Sequence, residues 1–283
     1  MVLEPILLLV LACSIIVGLT LGLLGGGGSI LMVPLLSYVA GLDPKQAITT
    51  SLFVVGVTSI ASLLPHARAH NVKWGPGLIF AGASMSGAFL GGLGSSLIPG
   101  PVLMTAFAVI MLASAGNMIR GRKKSAAAQP GQRSLMLFAP AGLAVGLVTG
   151  LVGAGGGFLI VPALALLAGL KMAEAVGTSL LVITLNSAAG LLGHLNSTTV
   201  NWPLALAITA AAVAGSLIGA RLTSKVPEKK LRRGFGYFVL AMGVVVLVQE
   251  LPSPANLILP AAALAAGLGR FIYQRRLPAA PSN

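Results

Sequence analysis

Charged side chains are scarce in this sequence, and their scarcity excludes most soluble proteins. Only 8% of the 283 residues are charged, 18 basic against 5 acidic, whereas an ordinary soluble domain is about 25% charged. So few charges cannot cover a water-facing surface of this size, which excludes a soluble enzyme, a nucleic-acid-binding domain and a disordered linker protein. The net charge of +13 is therefore interpreted as a determinant of membrane topology, and no nucleic-acid partner is expected.

Groups that carry chemistry are also rare. The single cysteine, Cys13, excludes an internal disulfide framework and a cysteine-ligated metal site. No Asp or Glu falls in the middle of an apolar run, which disfavours a cation carrier, because such carriers need intramembrane carboxylates. The sequence also has no P-loop, metal-ligand cluster or nucleophile elbow. We therefore expect no cofactor and no enzymatic activity, with an intramembrane enzyme or a passive subunit of a larger complex as the alternatives.

Apolar residues are abundant and form long runs. They make up 56% of the chain, and the mean hydropathy is +0.97. Runs long enough to cross a bilayer cover 5–24, 46–64, 77–98, 102–118, 135–152, 173–192, 203–222, 234–248 and 255–273. Two shorter runs, 30–40 and 158–168, follow glycine clusters and would each form roughly 16 Å of helix, too short for a ~30 Å hydrocarbon core. The pattern predicts an all-α polytopic membrane protein with about 8–11 hydrophobic segments.

The chain repeats itself after 128 positions. This displacement aligns Gly18 with Gly146 and Pro99 with Pro227 without a gap, and roughly 32 of the 82 paired positions are identical. Shared apolar composition does not explain matches of His, Trp, Pro and Ser in register. The sequence therefore predicts an internal duplication. We expect a first transmembrane repeat at 1–119, a basic cytoplasmic linker at 120–134, a second repeat at 135–250, and an extra helix with a basic tail at 251–283.

The positions of the basic loops predict that the two repeats are inverted. The positive-inside rule places loops 120–133 and 221–233 in the cytoplasm, so an even number of crossings separates them. Segments 173–192 and 203–222 supply two crossings, so 135–168 contributes either none or two. The glycine-led segment thus either re-enters or crosses and returns, and both options give each repeat an odd number of crossings. Inverted repeats with broken helices are typical of secondary transporters. We expect an integral protein of a bacterial inner membrane with a cytoplasmic C-terminus.

Two glycine clusters form the first candidate binding motif. Each is followed by a short apolar run with a proline, and a helix that begins there presents unpaired N–H groups and the positive end of its dipole. Such a terminus binds anions, so two of them are expected to hold one small anionic substrate. Close helix packing is the alternative role of the glycines. The candidate residues are Gly25, Gly26, Gly27, Gly28 and Ser29 in the first cluster and Gly153, Gly155, Gly156 and Gly157 in the second.

This interpretation gives an expectation for single substitutions. A valine at Gly28 or Gly156 is expected to add a Cβ where the backbone approaches the ligand, which would weaken binding and leave folding largely intact. Lys73→Ala is expected to matter far less, because that side chain lies in a loop.

Hydroxyl pairs form the second motif. Thr50 and Ser51 recur as Thr178 and Ser179 near the start of the next helix, where hydroxyls either contact a ligand or bond the helix backbone. Both roles remain open. Weaker candidates, further along the same helices, are Thr58, Ser59, Asn186 and Ser187.

Two histidines recur at helix ends. His66 and His194 are each followed eight residues later by a tryptophan, Trp74 or Trp202. Placement at the membrane interface explains all four side chains. Gating or a proton relay by His66, His194 and Asn186 is the alternative.

The doubled motif resembles the sulfite exporter TauE/SafE family, also called the sulfonate or toluene sulfonate uptake permease family. The matching pattern is G-x-x-G-x-G-G, then V-P, A-x-x-T-S-L and a His. It is present as Gly22, Gly25, Gly27, Gly28, Val33, Pro34, Ala47, Thr50, Ser51, Leu52 and His66, and again as Gly150, Gly153, Gly155, Gly156, Val161, Pro162, Ala175, Thr178, Ser179, Leu180 and His194. The resemblance implies a membrane transporter of sulfite, organosulfonates or related anions. It leaves open the direction of transport, the coupling ion, another small organic anion as substrate, and whether the chain forms a homo-oligomer.

The predicted topology can be tested by cysteine labelling. In a Cys13→Ser background, Ser125→Cys is expected to be protected from an impermeant thiol reagent in intact cells, because the 120–134 linker should be cytoplasmic. Labelling of that position from outside intact cells would contradict the predicted orientation.

Overall fold

The computed structural model describes residues 3–26, 28–120, 132–153, 155–195, 198–222 and 228–250. Every regular element in these ranges is a helix, as expected for an all-α membrane protein. Most of the 120–134 linker, the expected helix 255–273 with its basic tail, and Gly27 of the first glycine cluster lie outside the described residues.

The described residues form ten helices in two series of five. The first series is α1 (Leu3–Leu24), α2 (Gly28–Val39), α3 (Pro44–Arg68), α4 (Trp74–Ser95) and α5 (Gly100–Arg120). The second series is α6 (Gln132–Val152), α7 (Gly157–Leu167), α8 (Met172–Leu195), α9 (Trp202–Leu222) and α10 (Glu228–Glu250). Each helix of the second series begins within one residue of its counterpart's start plus 128, so the sequence repeat coincides with a repeat of helices.

Five of the described helices are long and apolar enough to cross a membrane. They are α1 over Pro5–Leu24, α3, α4, α8 over Ala173–Leu195, and α9. By contrast, α2 and α7 are short, and α7 has only 11 residues. The five helices establish an integral membrane protein, with the two short segments in the places that the sequence predicts.

Local sequence sets the helix ends around the short segments. Gly25 follows the last residue of α1 with φ +70°, and Gly153 follows the last residue of α6 with φ +74°. A side chain at this left-handed conformation would be strained, so glycine ends both helices and lets the chain turn. Asp43 and Pro44 then occupy the cap and the first position of α3, which suits the fixed φ of proline.

The two series pack against each other reciprocally. The most extensive contacts of α1 are with α9, and those of α6 are with α4. A Cβ on Gly18 would overlap the carbonyl oxygen of Ala212, and a Cβ on Gly146 would overlap that of Ser84. These four positions are two pairs 128 residues apart, so the same contact is made twice with the roles of the copies exchanged. Between these helix pairs, α3 packs against α8.

Close approach at these glycines can be tested by alanine substitution. Gly18→Ala and Gly146→Ala are each expected to destabilise the protein by at least about 1–3 kcal/mol, because the new methyl group would meet backbone atoms of the other series. Thermal unfolding of the purified protein in detergent measures the effect.

Gly82→Ala is the matched control. It lies in the same kind of helix, and a Cβ there would meet no described atom within 4 Å, so the gain in helix propensity should leave stability unchanged or raise it by up to ~1 kcal/mol. Equal unfolding temperatures for all three variants would contradict the close packing.

Candidate functional site

The two glycine clusters meet in the interior of the protein. A Cβ on Gly26 would overlap the Cα of Gly157, and a Cβ on Gly157 would overlap the Cα of Gly26. The start of α7 therefore lies against the turn that leads into α2, and both turns are buried. The structure thus brings together the two segments that the sequence predicts to share one ligand.

Helices α3 and α8 flank the two glycine turns. Gly153 packs against Ile48 and Ser51 of α3, and the Ser51 hydroxyl lies 2.6 Å from the Gly153 carbonyl oxygen. The reciprocal arrangement places Gly25 against Val176 and Ser179 of α8. Each glycine turn therefore packs against the hydroxyl motif of the other repeat.

Most of the predicted hydroxyls are already bonded to the backbone. Ser51 Oγ donates to the Gly153 carbonyl and also lies 2.7 Å from the Ile48 carbonyl oxygen. Ser179 Oγ donates to the Val176 carbonyl at 2.7 Å, and Ser29 Oγ donates to the Gly26 carbonyl at 2.7 Å. Thr178 Oγ1 accepts a bond of 2.9 Å from the Lys73 backbone N–H. In this conformation these four hydroxyls hold helices and turns together.

A second set of polar atoms is buried along α3 and α8 and has no partner. Within the described residues, the atoms without a hydrogen-bond partner on these two helices are Thr50 Oγ1, Ser59 Oγ, Ser62 Oγ, Asn186 Nδ2 and Ser187 Oγ. Sequence reasoning ranked Ser59, Asn186 and Ser187 below the glycine motif and missed Ser62, whose counterpart 128 residues later is Gly190. Ser62 lies three residues after Ser59 and four residues before His66. This spacing places the three side chains on one face of a helix, and it could have identified Ser62 from the sequence.

The expectation that valine at Gly28 or Gly156 would leave folding intact is wrong. A Cβ on Gly28 would overlap the backbone nitrogen of Leu21 and lie 2.6 Å from the Val17 carbonyl oxygen. Gly156 adopts φ +78°, and a Cβ there would overlap the Thr149 side chain. Both positions are constrained by packing against α1 or α6, so these substitutions would disturb folding directly.

The two histidines are buried in helix packing. His66 is 4% exposed and His194 0%, whereas Trp74 and Trp202 are 52% and 46% exposed. His194 Nε2 lies 2.8 Å from the Gly150 carbonyl oxygen, and its Nδ1 lies 3.0 Å from Ser95 Oγ. His66 Nε2 lies 3.4 Å from the Gly22 carbonyl oxygen, the equivalent position in the first repeat. Both histidines are thus enclosed by helices and both tryptophans are exposed, while the interfacial depth of all four stays a prediction.

No ionic side chain that the structure describes is buried beside the glycine turns. Among the buried side chains that the structure describes there is no lysine, arginine, aspartate or glutamate. No cluster of three or more potential metal ligands occurs in the described residues either. Positive potential around the turns therefore comes from backbone N–H groups and helix dipoles.

The two ends of α8 have different surroundings, an ion pair at its start and a cleft near its end. At its start, Lys73 Nζ lies 3.0 Å from Glu174 Oε1, which joins α4 to α8. The counterparts of these residues in the repeat are Asn201 and Gln46, which are uncharged. Near the end of α8, roughly 36 Å away along a 24-residue helix, there is a cleft of about 710 Å³. Its lining residues are Asp43, Pro44, Lys45, Gln46, Gly100, Pro101, Leu195, Thr198 and Thr199.

Comparison with known proteins agrees with this architecture. Residues 10–246 match the profile of the family described as "Sulfite exporter TauE/SafE". A probable membrane transporter protein of Xylella fastidiosa (strain Temecula1) is 37% identical over 238 residues, covering 82% of this chain and 91% of the relative. No solved structure matches the chain.

More distant relatives carry the same description. A probable membrane transporter protein of Methanocaldococcus jannaschii is 31% identical over 265 residues, covering 87% of this chain and 98% of the relative. The probable membrane transporter protein YunE of Bacillus subtilis is 31% identical over 242 residues, covering 77% and 89%.

The apolar helices and the relatives together define the class: an integral membrane protein of a transporter family. The chain belongs to the sulfite exporter TauE/SafE family. The family resemblance carried by the doubled glycine motif is thereby confirmed.

The contacts of His194 generate a prediction about its role. Because a carbonyl only accepts hydrogen bonds, Nε2 must carry a proton, and the ring is held between α6 and α4. His194→Ala is expected to destabilise the protein by about 1–3 kcal/mol, with a smaller loss for His66→Ala because its contact is longer. Thermal unfolding measures the structural role of each histidine. Transport activity per folded molecule, measured over a range of pH, tests for a proton relay. A stable His194→Ala protein that had lost uptake would instead support a proton relay.

Proposed function

We propose that the protein is a secondary transporter of a small sulfur-containing anion, such as sulfite or an organosulfonate, working by alternating access. The observation that carries the proposal is the meeting of the two glycine turns at Gly26 and Gly157. Two short helices begin at this point, one from each repeat, and each directs the positive end of its dipole toward its own start. Two helix starts brought together in a membrane protein suit a single central anion site.

The choice of an anion follows from the charges around the turns. All five acidic residues lie at or near helix ends: Glu4, Asp43, Glu174, Glu228 and Glu250. A cation at the turns would meet the positive ends of two dipoles with no buried carboxylate among the described residues, whereas an anion would be stabilised there. The sulfur chemistry of the substrate rests on the family description alone.

Inversion of the two repeats is part of the proposal. Each repeat has five helices, one of them short, and the positive-inside rule assigns the basic loops of both halves to one side. Both features support opposite orientations of α1–α5 and α6–α10. The exchanged contacts of Gly18 with Ala212 and Gly146 with Ser84 are those of a two-fold arrangement. An axis in the membrane plane would then pass between α3 and α8, close to the glycine turns.

The different ends of α8 support alternating access. The Lys73–Glu174 ion pair and the bond from the Lys73 backbone N–H to Thr178 join α4 to α8 at one end, while the cleft opens at the other. We propose that these contacts close the pathway at one face, and that they separate when the cleft closes.

Transport can be measured with purified protein in proteoliposomes. Vesicles that contain the protein are expected to accumulate methanesulfonate or sulfite down an imposed gradient faster than protein-free vesicles. Lys73→Ala should retain most of this uptake, because exposed ion pairs contribute only ~0.2–1 kcal/mol. If neither anion entered faster than in protein-free vesicles, the proposed function would have to be abandoned.

A reversible crosslink tests alternating access directly. The 2.9 Å bond between the Lys73 nitrogen and Thr178 Oγ1 brings the two backbones within disulfide range. In the Cys13→Ser background, Lys73→Cys combined with Thr178→Cys should lower uptake about tenfold when oxidised and restore it on reduction, because α4 could no longer move away from α8. The two single variants, treated in the same way, are the controls. Equal uptake by the oxidised and reduced double variant would contradict the proposed movement.

A further inference from the structure

Three unpartnered donors lie on α3 and α8, two helices that pack against each other. Ser59 is 0% exposed, and Asn186 and Ser187 are each 1% exposed. In the described part of the chain, Ser59 Oγ, Asn186 Nδ2 and Ser187 Oγ have no hydrogen-bond partner. Burying an unpaired polar group destabilises a protein, so these three groups are available to bond a ligand.

The helix dipoles set the sign of that ligand, and the amide of Asn186 suits the same sign in its present orientation. The Ser84 hydroxyl donates to Asn186 Oδ1 at 2.7 Å, which directs the amide oxygen toward α4 and leaves the nitrogen as the unpaired end. An amide nitrogen donates hydrogen bonds and does not accept them. It therefore suits an oxygen atom of an anion and offers nothing to a metal cation.

The donors lie next to the glycine turn before α7. Ser187 Oγ lies 3.3 Å from the Cβ position of Gly155, two residues before α7 begins. Ser187 Cβ also lies 3.2 Å from the Cβ position of Gly56, and Ser59 follows Gly56 by less than one helical turn. Ser187 thus adjoins the helix start that the proposed function already assigns to the anion, and Ser59 follows on the stretch of α3 that Ser187 contacts.

All of these donors are neutral, and this limits the charge of the ligand. No lysine or arginine is buried among the described residues, so a bound anion keeps its whole charge uncompensated by a cation. The cost of transferring an ion from water to a medium of low dielectric constant rises with the square of its charge. Neutral donors and helix dipoles can offset this cost for one charge far more readily than for two.

We propose that Ser59, Asn186 and Ser187 bind the oxygen atoms of a singly charged oxyanion, such as a sulfonate or hydrogensulfite, and that the site rejects doubly charged oxyanions of similar size, the sulfite dianion included. This inference rests on the proposed function and adds to it the identity of the binding side chains and the charge of the substrate. Three donors match the three oxygen atoms of a sulfonate group.

Calorimetry on the full-length protein in lipid nanodiscs tests the charge selectivity without any substitution. Methanesulfonate and sulfate are both tetrahedral at sulfur and differ in charge. The wild-type protein is expected to bind methanesulfonate at least about tenfold more tightly than sulfate. Sulfate binding that is equal or tighter would overturn the inference, whatever the variants do.

Substitutions test the side chains. Asn186→Ala and Ser187→Ala are each expected to weaken methanesulfonate binding about tenfold. Thr58→Val is the matched control, because Thr58 is the counterpart of Asn186, is equally buried, and already donates its hydroxyl to the Val54 carbonyl at 2.6 Å. Its affinity should stay within about twofold of the wild type.

The outcomes separate this inference from the transporter proposal. If proteoliposomes accumulate methanesulfonate while folded Asn186→Ala and Ser187→Ala bind it as the wild type does, the assignment of the donors is overturned and the transporter proposal stands. If the wild type neither binds nor transports methanesulfonate, sulfite or sulfate, both proposals fall together.

Discussion

Contact between helix backbones at glycine positions is the constraint on which the rest of this structure depends. At Gly18, Gly146, Gly26 and Gly157, a single methyl group would overlap the backbone of the other repeat. In a bilayer the hydrophobic effect does not drive helices together, so close packing of this kind supplies much of the association. The same small residues let two chain breaks lie side by side between α3 and α8. The glycines thus allow both the close packing of the two repeats and the proposed binding site.

The sequence predicts the helices well because each helix pattern occurs twice, once in each repeat. The apolar runs and the doubled motif predict the short segments after the two glycine clusters, a helix whose first position is Pro44, and the family. They do not predict which atoms meet across the repeats. That Ser51 bonds the Gly153 carbonyl, or that Gly26 contacts Gly157, depends on how α3 and α8 pack, and no local pattern encodes this.

The errors of sequence reasoning have one physical origin. Helices that are apolar on every side carry no polar stripe to distinguish the protein-facing side from the lipid-facing side. The enclosure of His66 and His194 by neighbouring helices was therefore not predicted. Gly28 could be assigned to a ligand-facing turn although its open side faces the backbone of α1. In both cases the sequence singles out the residue but does not predict which atoms surround it.

The exchange of partners between repeats also bears on how the chain is made. Helix α1 is complete when about 24 residues have been synthesised, yet the helix that covers its glycine side, α9, begins at Trp202. Until then, the Gly18 side of α1 can face only lipid or helices that are not its final partner. Assembly in the membrane must therefore wait for the second half of the chain, because contacts so distant in sequence cannot form during its early insertion. Duplication has in this way made two similar halves that depend on each other to fold.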